Sequence, residues 1–182
     1  KKINNPIKCA VIGWVDDKFV RVDESVQKLA SLGVNVYFFT SKESFNSTIK
    51  NINLDKFKLN NIHYVGYLEN DEDLKKYLSD FLIGICPHDA KNPKISKNYR
   101  KYCSSMRIIN YIENYLTIFL SKKTFFQKLI LRKYNSNFYD IDILKSLKSI
   151  EEIKKILYFK EIRHDNSIFN KKKLSENLIK FF

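Results

Sequence analysis

Glycine is nearly missing from this chain. Only Gly13, Gly33, Gly66 and Gly84 occur in 182 residues, and none falls in a G-x-G-x-x-G or G-x-x-x-x-G-K spacing. That excludes the two glycine-rich loops that cradle phosphates in dinucleotide-binding and P-loop domains. Proline is rarer still, with three, so no proline-rich tract divides the chain. Cys9, Cys86 and Cys103 are odd in number, far apart and never in C-x-x-C spacing, and the three histidines form no H-x-x-H or H-x-x-x-H pair. Neither a disulfide framework nor a structural metal is expected, and Cys9 and Cys86, in or at the end of apolar runs, read as small buried hydrophobes. No apolar stretch approaches the roughly 20 residues that span a bilayer, and the opening Lys1-Lys2-Ile3-Asn4-Asn5-Pro6 lacks the apolar run of a signal peptide. We expect a soluble, cytoplasmic chain. Because it does not begin with Met, we also expect a piece of something longer.

Acidic residues are scarce in one half only. Residues 1–90 hold 12 basic and 12 acidic side chains, whereas residues 91–182 hold 21 basic and 8 acidic ones, so the second half carries the whole net charge of +13. Such asymmetry suits an anionic partner: a phosphate ligand, nucleic acid, or an anionic membrane met peripherally at its inner face. Compositional drift toward Lys, Asn and Ile is the alternative source of the same excess.

With 44% hydrophobic residues, a chain of this length can bury about two-thirds of its unfolded surface in one core. Apolar runs of strand length alternate with segments of helical period, the signature of βαβ units. Strands are expected at Ile7 to Gly13, Val34 to Thr40, Asn61 to Tyr67, Phe81 to Cys86, Thr117 to Leu120 and Asn137 to Ile141. Helices are expected at Glu24 to Leu32, with Gly33 as its stop, from Asp71 to about Ser79, from Ser104 to about Asn114, and at Thr124 to Tyr134 and Ser149 to Tyr158. Residues 44–60 read as one short helix and a loop, and Lys171 to Phe182 as an amphipathic helix. The expected fold class is α/β, a Rossmann-like three-layer α/β/α sandwich with a mostly parallel sheet of about six strands, in one domain over residues 1–182.

In an open parallel sheet, ligands bind beyond the carboxyl ends of the strands, where helix N-termini offer unpaired N–H groups to phosphates. The most informative junction is Cys103-Ser104-Ser105-Met106-Arg107. With Ser104 as N-cap, Arg107 falls in the first helical turn, where the dipole disfavours a cation by roughly 0.3–1 kcal/mol and a bound anion reverses that penalty. Asn110, three positions on, shares its helix face and could meet the ribose next to a diphosphate; both could equally be solvated surface residues. At the same sheet end, Gly13 would let backbone approach a ligand and Trp14 could wall a pocket, or pack on the first helix. Tyr64, Val65, Gly66 and Tyr67 are candidates for base contact, with core packing the alternative for Tyr64. His88 and Asp89 open a basic loop, residues 88–102, and could touch a sugar or diphosphate.

The segment Ser105-Met106-Arg107-Ile108-Ile109-Asn110-Tyr111-Ile112-Glu113-Asn114-Tyr115-Leu116-Thr117-Ile118 resembles the donor-binding motif of GT-B glycosyltransferases: a small residue or Pro, a Lys or Arg, two apolar residues, then Glu-Tyr. Asn61 to Leu68, followed by Asp73-Leu74 to Pro87, is similar to the same family's strand, glycine-aromatic turn, helix and Pro-terminated strand. The last helix, after Asn166-Ser167-Ile168-Phe169, is similar to the family's C-terminal helix. The resemblance implies a C-terminal, donor-binding domain, with Arg107 and the N–H groups of Ser104, Ser105 and Met106 on the donor's phosphates and Asn110 on its ribose. Asn110 stands where the family carries a ribose-binding acid, which removes the charge-assisted strength of a carboxylate. Tyr115 and Thr117 stand where the family has Gly and Pro, and Tyr102 where its two-glutamate version has the earlier Glu.

The function so implied is binding of a nucleoside-diphosphate sugar, as substrate with no cofactor or metal, for surface polysaccharide or glycolipid synthesis. The acceptor site and general base would belong to an N-terminal acceptor-binding domain, so no catalytic residue is assigned here and little turnover is expected. Two rivals stay open: a nucleic-acid-binding module, supported by Lys91 to Lys101 beside Tyr99 and Tyr102, and a catalytically silent domain of the same fold. A receiver domain, suggested by Asp16-Asp17, fails because neither the Tyr64 strand nor its neighbour ends in an acceptor Asp.

Overall fold

Two central strands, β4 (Ile83–Cys86) and β5 (Thr117–Leu120), are buried at every position, which is what a parallel strand with helices on both faces requires. The computed structural model describes residues 5–15, 22–86 and 106–158. Within them β1 (Lys8–Ile12), β2 (Asn35–Phe39), β3 (Ile62–Tyr64) and β6 (Phe138–Asp140) complete a six-stranded sheet of order β3-β2-β1-β4-β5-β6. Every pairing is parallel. The helices are α1 (Asp23–Ser31), α2 (Lys42–Lys50), α3 (Lys56–Leu59), α4 (Asp71–Leu78), α5 (Met106–Glu113), α6 (Phe125–Lys133), α7 (Ile143–Ser146) and α8 (Ile150–Tyr158).

Side chains alternate across β1 and so divide the core in two. Cys9 and Val11 join Val26 and Leu29 of α1, Leu144 of α7 and Ile153 of α8, with Phe45 of α2 packed against them. Ala10 and Ile12 join Leu74 and Leu78 of α4, Ile108, Tyr111 and Ile112 of α5, and Leu131 of α6. The expected three-layer Rossmann-like sandwich is therefore the observed one. Cys9 and Cys86 are buried thiols outside any disulfide, and burial pushes the Cys9 thiol pKa up, so it remains a neutral hydrophobe.

Residues 44–60 differ from the sequence expectation: they hold two helices. Ser41 starts α2 by accepting from the Ser44 N–H at 3.2 Å, and Asp55 starts α3 by accepting from the Lys58 N–H at 2.8 Å. Ser44 and Thr48 are the buried residues of α2, and Phe45 packs beside them, its ring 5.2 Å from that of Phe38. The short α7 is a second element the sequence did not signal. Ser104 as N-cap, the 88–102 loop, Cys103 and the 171–182 helix lie outside the described residues.

Three helices end alike. After α1, α5 and α6, residues Gly33, Tyr115 and Asn135 take positive φ values of 87°, 57° and 49°. In each, the residue after the turn donates back five positions: Val34 to Leu29, Leu116 to Tyr111 and Ser136 to Leu131, at 3.0, 3.0 and 2.9 Å. This is the Schellman closure, which suits Gly and tolerates Asn. Tyr115 occupies it against its own steric preference.

Candidate functional site

Strand order reverses direction between β1 and β4, and there the sheet comes apart. β1 pairs with β2 over all five residues, from Lys8↔Asn35 to Ile12↔Phe39, but with β4 only at Cys9↔Ile83 and Ala10↔Gly84. Tyr111 of α5 fills the gap. Its hydroxyl accepts from the Ile12 N–H at 3.2 Å and shares its proton between the carbonyls of Ala10 and Ile85, at 3.1 and 3.0 Å. One side chain thus satisfies three backbone groups that the parted strands cannot offer each other. The ring lies flat against Gly84, where a Cβ would sit 2.6 Å from Tyr111 Cγ, so β4 must carry glycine at that position. Burial pushes the Tyr111 pKa far up, the Arg107 charge opposes this, and the phenol stays neutral and able to donate.

One turn before Tyr111 on α5, Arg107 reaches the crevice mouth. Its Nη2 donates to the Trp14 carbonyl at 2.8 Å and lies 3.5 Å from where a Cβ of Gly13 would be. Its Nη1 is buried and has no hydrogen-bond partner. Gly13, with φ of 76°, turns the chain under the guanidinium, and its N–H extends the β1–β2 ladder by bonding Phe39 O at 2.9 Å. Arg107 is the second residue of α5, so it meets the positive end of that helix dipole, and among the described residues no carboxylate pairs with it. The cation thus stands half-buried at the carboxyl rim of a parallel sheet, with one N–H unused.

Across the Gly13-Trp14 turn lies a cleft of about 450 Å³, beyond the ends of β1 and β2. Its lining includes Gly13 and Trp14 after β1, Thr40 and Ser41 after β2, Glu43 with other residues of α2, and Tyr67. Arg107 is not among the lining residues; it adjoins the cleft through the shared turn, so the two form neighbouring halves of one rim.

The other sequence candidates divide. Trp14 is 72% exposed and walls the cleft, rather than packing into the core, and Tyr67 is 68% exposed in the same wall. Tyr64 is 43% exposed, its ring 5.1 Å from Phe45 of α2, so it is not the core residue of the alternative reading. Neither it nor Val65 or Gly66 lines the cleft: Val65 packs on the α4–α5 side of the core, and Gly66, with φ of 100°, turns the chain toward Tyr67. Asn110 is half-buried in the second turn of α5, where its carbonyl accepts from Asn114 Nδ2 at 2.8 Å. Met106 opens α5, whereas Ser104, Ser105, His88 and Asp89 lie outside the described residues. Thr40, Ser41 and Glu43 were missed from sequence; the usable signal was a capping serine directly after a buried strand, which puts an α2 N-terminus at the ligand end of the sheet.

Among the described residues, no three His, Cys, Asp or Glu side chains are grouped to hold a metal ion, and no helix is long and apolar enough to cross a membrane. No family model matches the chain, and no curated protein matches it by sequence. Solved structures do. The α,α-trehalose 6-phosphate synthase of Burkholderia multivorans superposes with a TM-score of 0.55 at 9% identity, over 85% of this chain and 35% of that one. The C-terminal domain of a group 1 glycosyl transferase (LpcC) of Francisella tularensis gives 0.52 at 10% identity, over 84% of this chain and 80% of that domain. HepE of Anabaena, solved in complex with UDP-glucose, gives 0.51 at 12% identity, over 97% of this chain and 49% of that one. This chain therefore spans well under two-thirds of the trehalose 6-phosphate synthase and of HepE. At these identities the likeness is one of fold: over the matched part this chain shares the fold of these glycosyltransferase structures.

Proposed function

We propose that this chain is the donor-binding domain of a glycosyltransferase and holds a nucleoside-diphosphate sugar at the carboxyl rim of its sheet. The observation that carries the reading is Arg107: a cation at the mouth of the β1–β4 crevice, steadied by the Trp14 carbonyl, with Nη1 buried and unbonded. A diphosphate oxygen would complete its hydrogen bonding and offset the unfavourable helix dipole. The N–H groups of Ser104, Ser105 and Met106 would add donors to the same anion, and Asn110 one turn on from Met106 would meet the ribose. His88 and Asp89 are assigned to the sugar or diphosphate.

In transfer, the bond between the anomeric carbon and the diphosphate breaks, and negative charge gathers on the leaving diphosphate. In this reading Arg107 and the N–H groups at the start of the helix would stabilise that charge. The acceptor and the general base are assigned to a second, N-terminal domain, so the isolated chain binds donor with little or no turnover. Surface polysaccharide or glycolipid synthesis at the inner face of the membrane is the setting we propose. That HepE was solved with UDP-glucose supports a nucleotide-sugar ligand for this fold. A thermal-shift panel of uridine, guanosine, adenosine and cytidine diphosphates with their sugars tests the reading: saturable stabilisation by a subset is expected, and no shift with any of them at millimolar concentration contradicts it.

A further inference from the structure

The cleft beside Arg107 is lined by aromatic rings and by one carboxyl side chain. Trp14 and Tyr67 present ring surface that the core does not use, at 72% and 68% exposure. Glu43 lines the same space from the first turn of α2. Ser41 already caps α2 through the Ser44 N–H, and among the described residues Glu43 has neither an ion pair nor a side-chain hydrogen bond, so its acceptors are uncommitted. Thr40, also in the lining, is 1% exposed and its Oγ1 has no hydrogen-bond partner. A buried hydroxyl left unbonded beside a cleft is a place where a ligand's polar group is owed a contact.

Resting on the reading of this rim as a nucleoside-diphosphate site, we infer that the cleft takes the nucleobase and that Glu43 selects guanine. The Gly13-Trp14 turn is common to the cleft and to Arg107, so a diphosphate at the guanidinium would have the cleft as a neighbouring space for its base. An ionised carboxylate can only accept hydrogen bonds. Guanine is the base that sets two N–H donors, N1–H and the N2 amino group, side by side on one edge, and a carboxylate takes such a pair bidentately. Uracil flanks its single N3–H with two carbonyl oxygens, which the carboxylate repels. Adenine and cytosine each offer one amino group beside a ring nitrogen acceptor. The aromatic walls stack on any base, so they add affinity, and the choice falls to Glu43.

The test is calorimetric titration of the chain, and of Glu43→Gln, with guanosine, uridine, adenosine and cytidine diphosphates and with inorganic pyrophosphate. We expect guanosine diphosphate to bind wild type roughly tenfold or more tighter than the other three, as a bidentate charged pair should. Glu43→Gln is expected to erase that preference while leaving pyrophosphate affinity unchanged, with the melting temperature lowered by no more than a few degrees, as loss of one charge at a helix start allows. Preference for another base, no preference, or a guanine preference that survives Glu43→Gln each overturns the inference while leaving the diphosphate site standing. Failure of pyrophosphate and of all four nucleotides to bind overturns the site itself.

Discussion

Tyr111 and Tyr115 sit on one helix end and illustrate opposite uses of a side chain. Tyr111 is fully buried, and its hydroxyl serves Ile12 N, Ala10 O and Ile85 O at once. Removing only that oxygen leaves buried backbone groups unpaired at roughly 1–3 kcal/mol each, so Tyr111→Phe should cost at least about 2 kcal/mol in urea unfolding, far more than loss of a single surface hydrogen bond. Tyr115 is half exposed at φ of 57°, a conformation that costs an L-residue roughly 1–2 kcal/mol and glycine almost nothing. After allowing for glycine's greater entropy when unfolded, Tyr115→Gly should raise stability by about 0.5–1 kcal/mol, whereas Tyr115→Ala, which keeps a Cβ, should not. Paired thermal melts of the two variants check this. The GT-B motif carries Gly at that position, so the departure seen in the sequence has a physical counterpart in the strained turn. The tyrosine of the motif was legible as a matching letter, but its task was not. It depends on three backbone atoms, two of them about a hundred positions away, that only the assembled sheet brings together.

At the scale of elements, β4 and α5 are keyed to one another through Gly84 and Tyr111. A Cβ at residue 84 would stand 2.6 to 2.8 Å from three atoms of the tyrosine ring, closer than packing allows. Gly84→Ala should therefore cost about 1–3 kcal/mol by overpacking. The cost should shrink in a Tyr111→Leu background, since the partner of the clash is then gone; a double-mutant cycle with additive energies would contradict the contact. Strands and helices of this kind were legible wherever apolar runs were long or stops were clear. β5 matches its expected bounds, Thr117–Leu120, at both ends, and Gly33 marked the end of α1. What escaped were α3 and α7, of four residues each, too short to show a helical period. The cleft escaped for another reason. Thr40, Ser41 and Glu43 meet Trp14 and Tyr67 only because β2 lies between β1 and β3, and strand order is not written in local pattern.

At the scale of the molecule, the charge of +13 invites a polyanion, and the rim invites a small one. The two differ in their response to salt. A face that tracks a nucleic acid over six or more phosphates loses affinity with a log–log slope of about −4 or steeper, while a diphosphate held chiefly by one guanidinium and helix-end N–H groups should show a slope no steeper than about −2. Titrations at several salt concentrations, with nucleoside diphosphate and with homopolymeric RNA, should give the shallow slope for the nucleotide and the tighter binding to it at physiological ionic strength. The account as a whole stands on Arg107 holding a diphosphate at the crevice mouth, and calorimetric titration of the preferred nucleoside diphosphate into wild type and Arg107→Ala measures that directly. One site per chain is predicted, weakened at least about fivefold by the substitution, which corresponds to about 1 kcal/mol for a charge-assisted bond at the low end. Equal affinity in the two proteins would remove the guanidinium from the site and contradict the account.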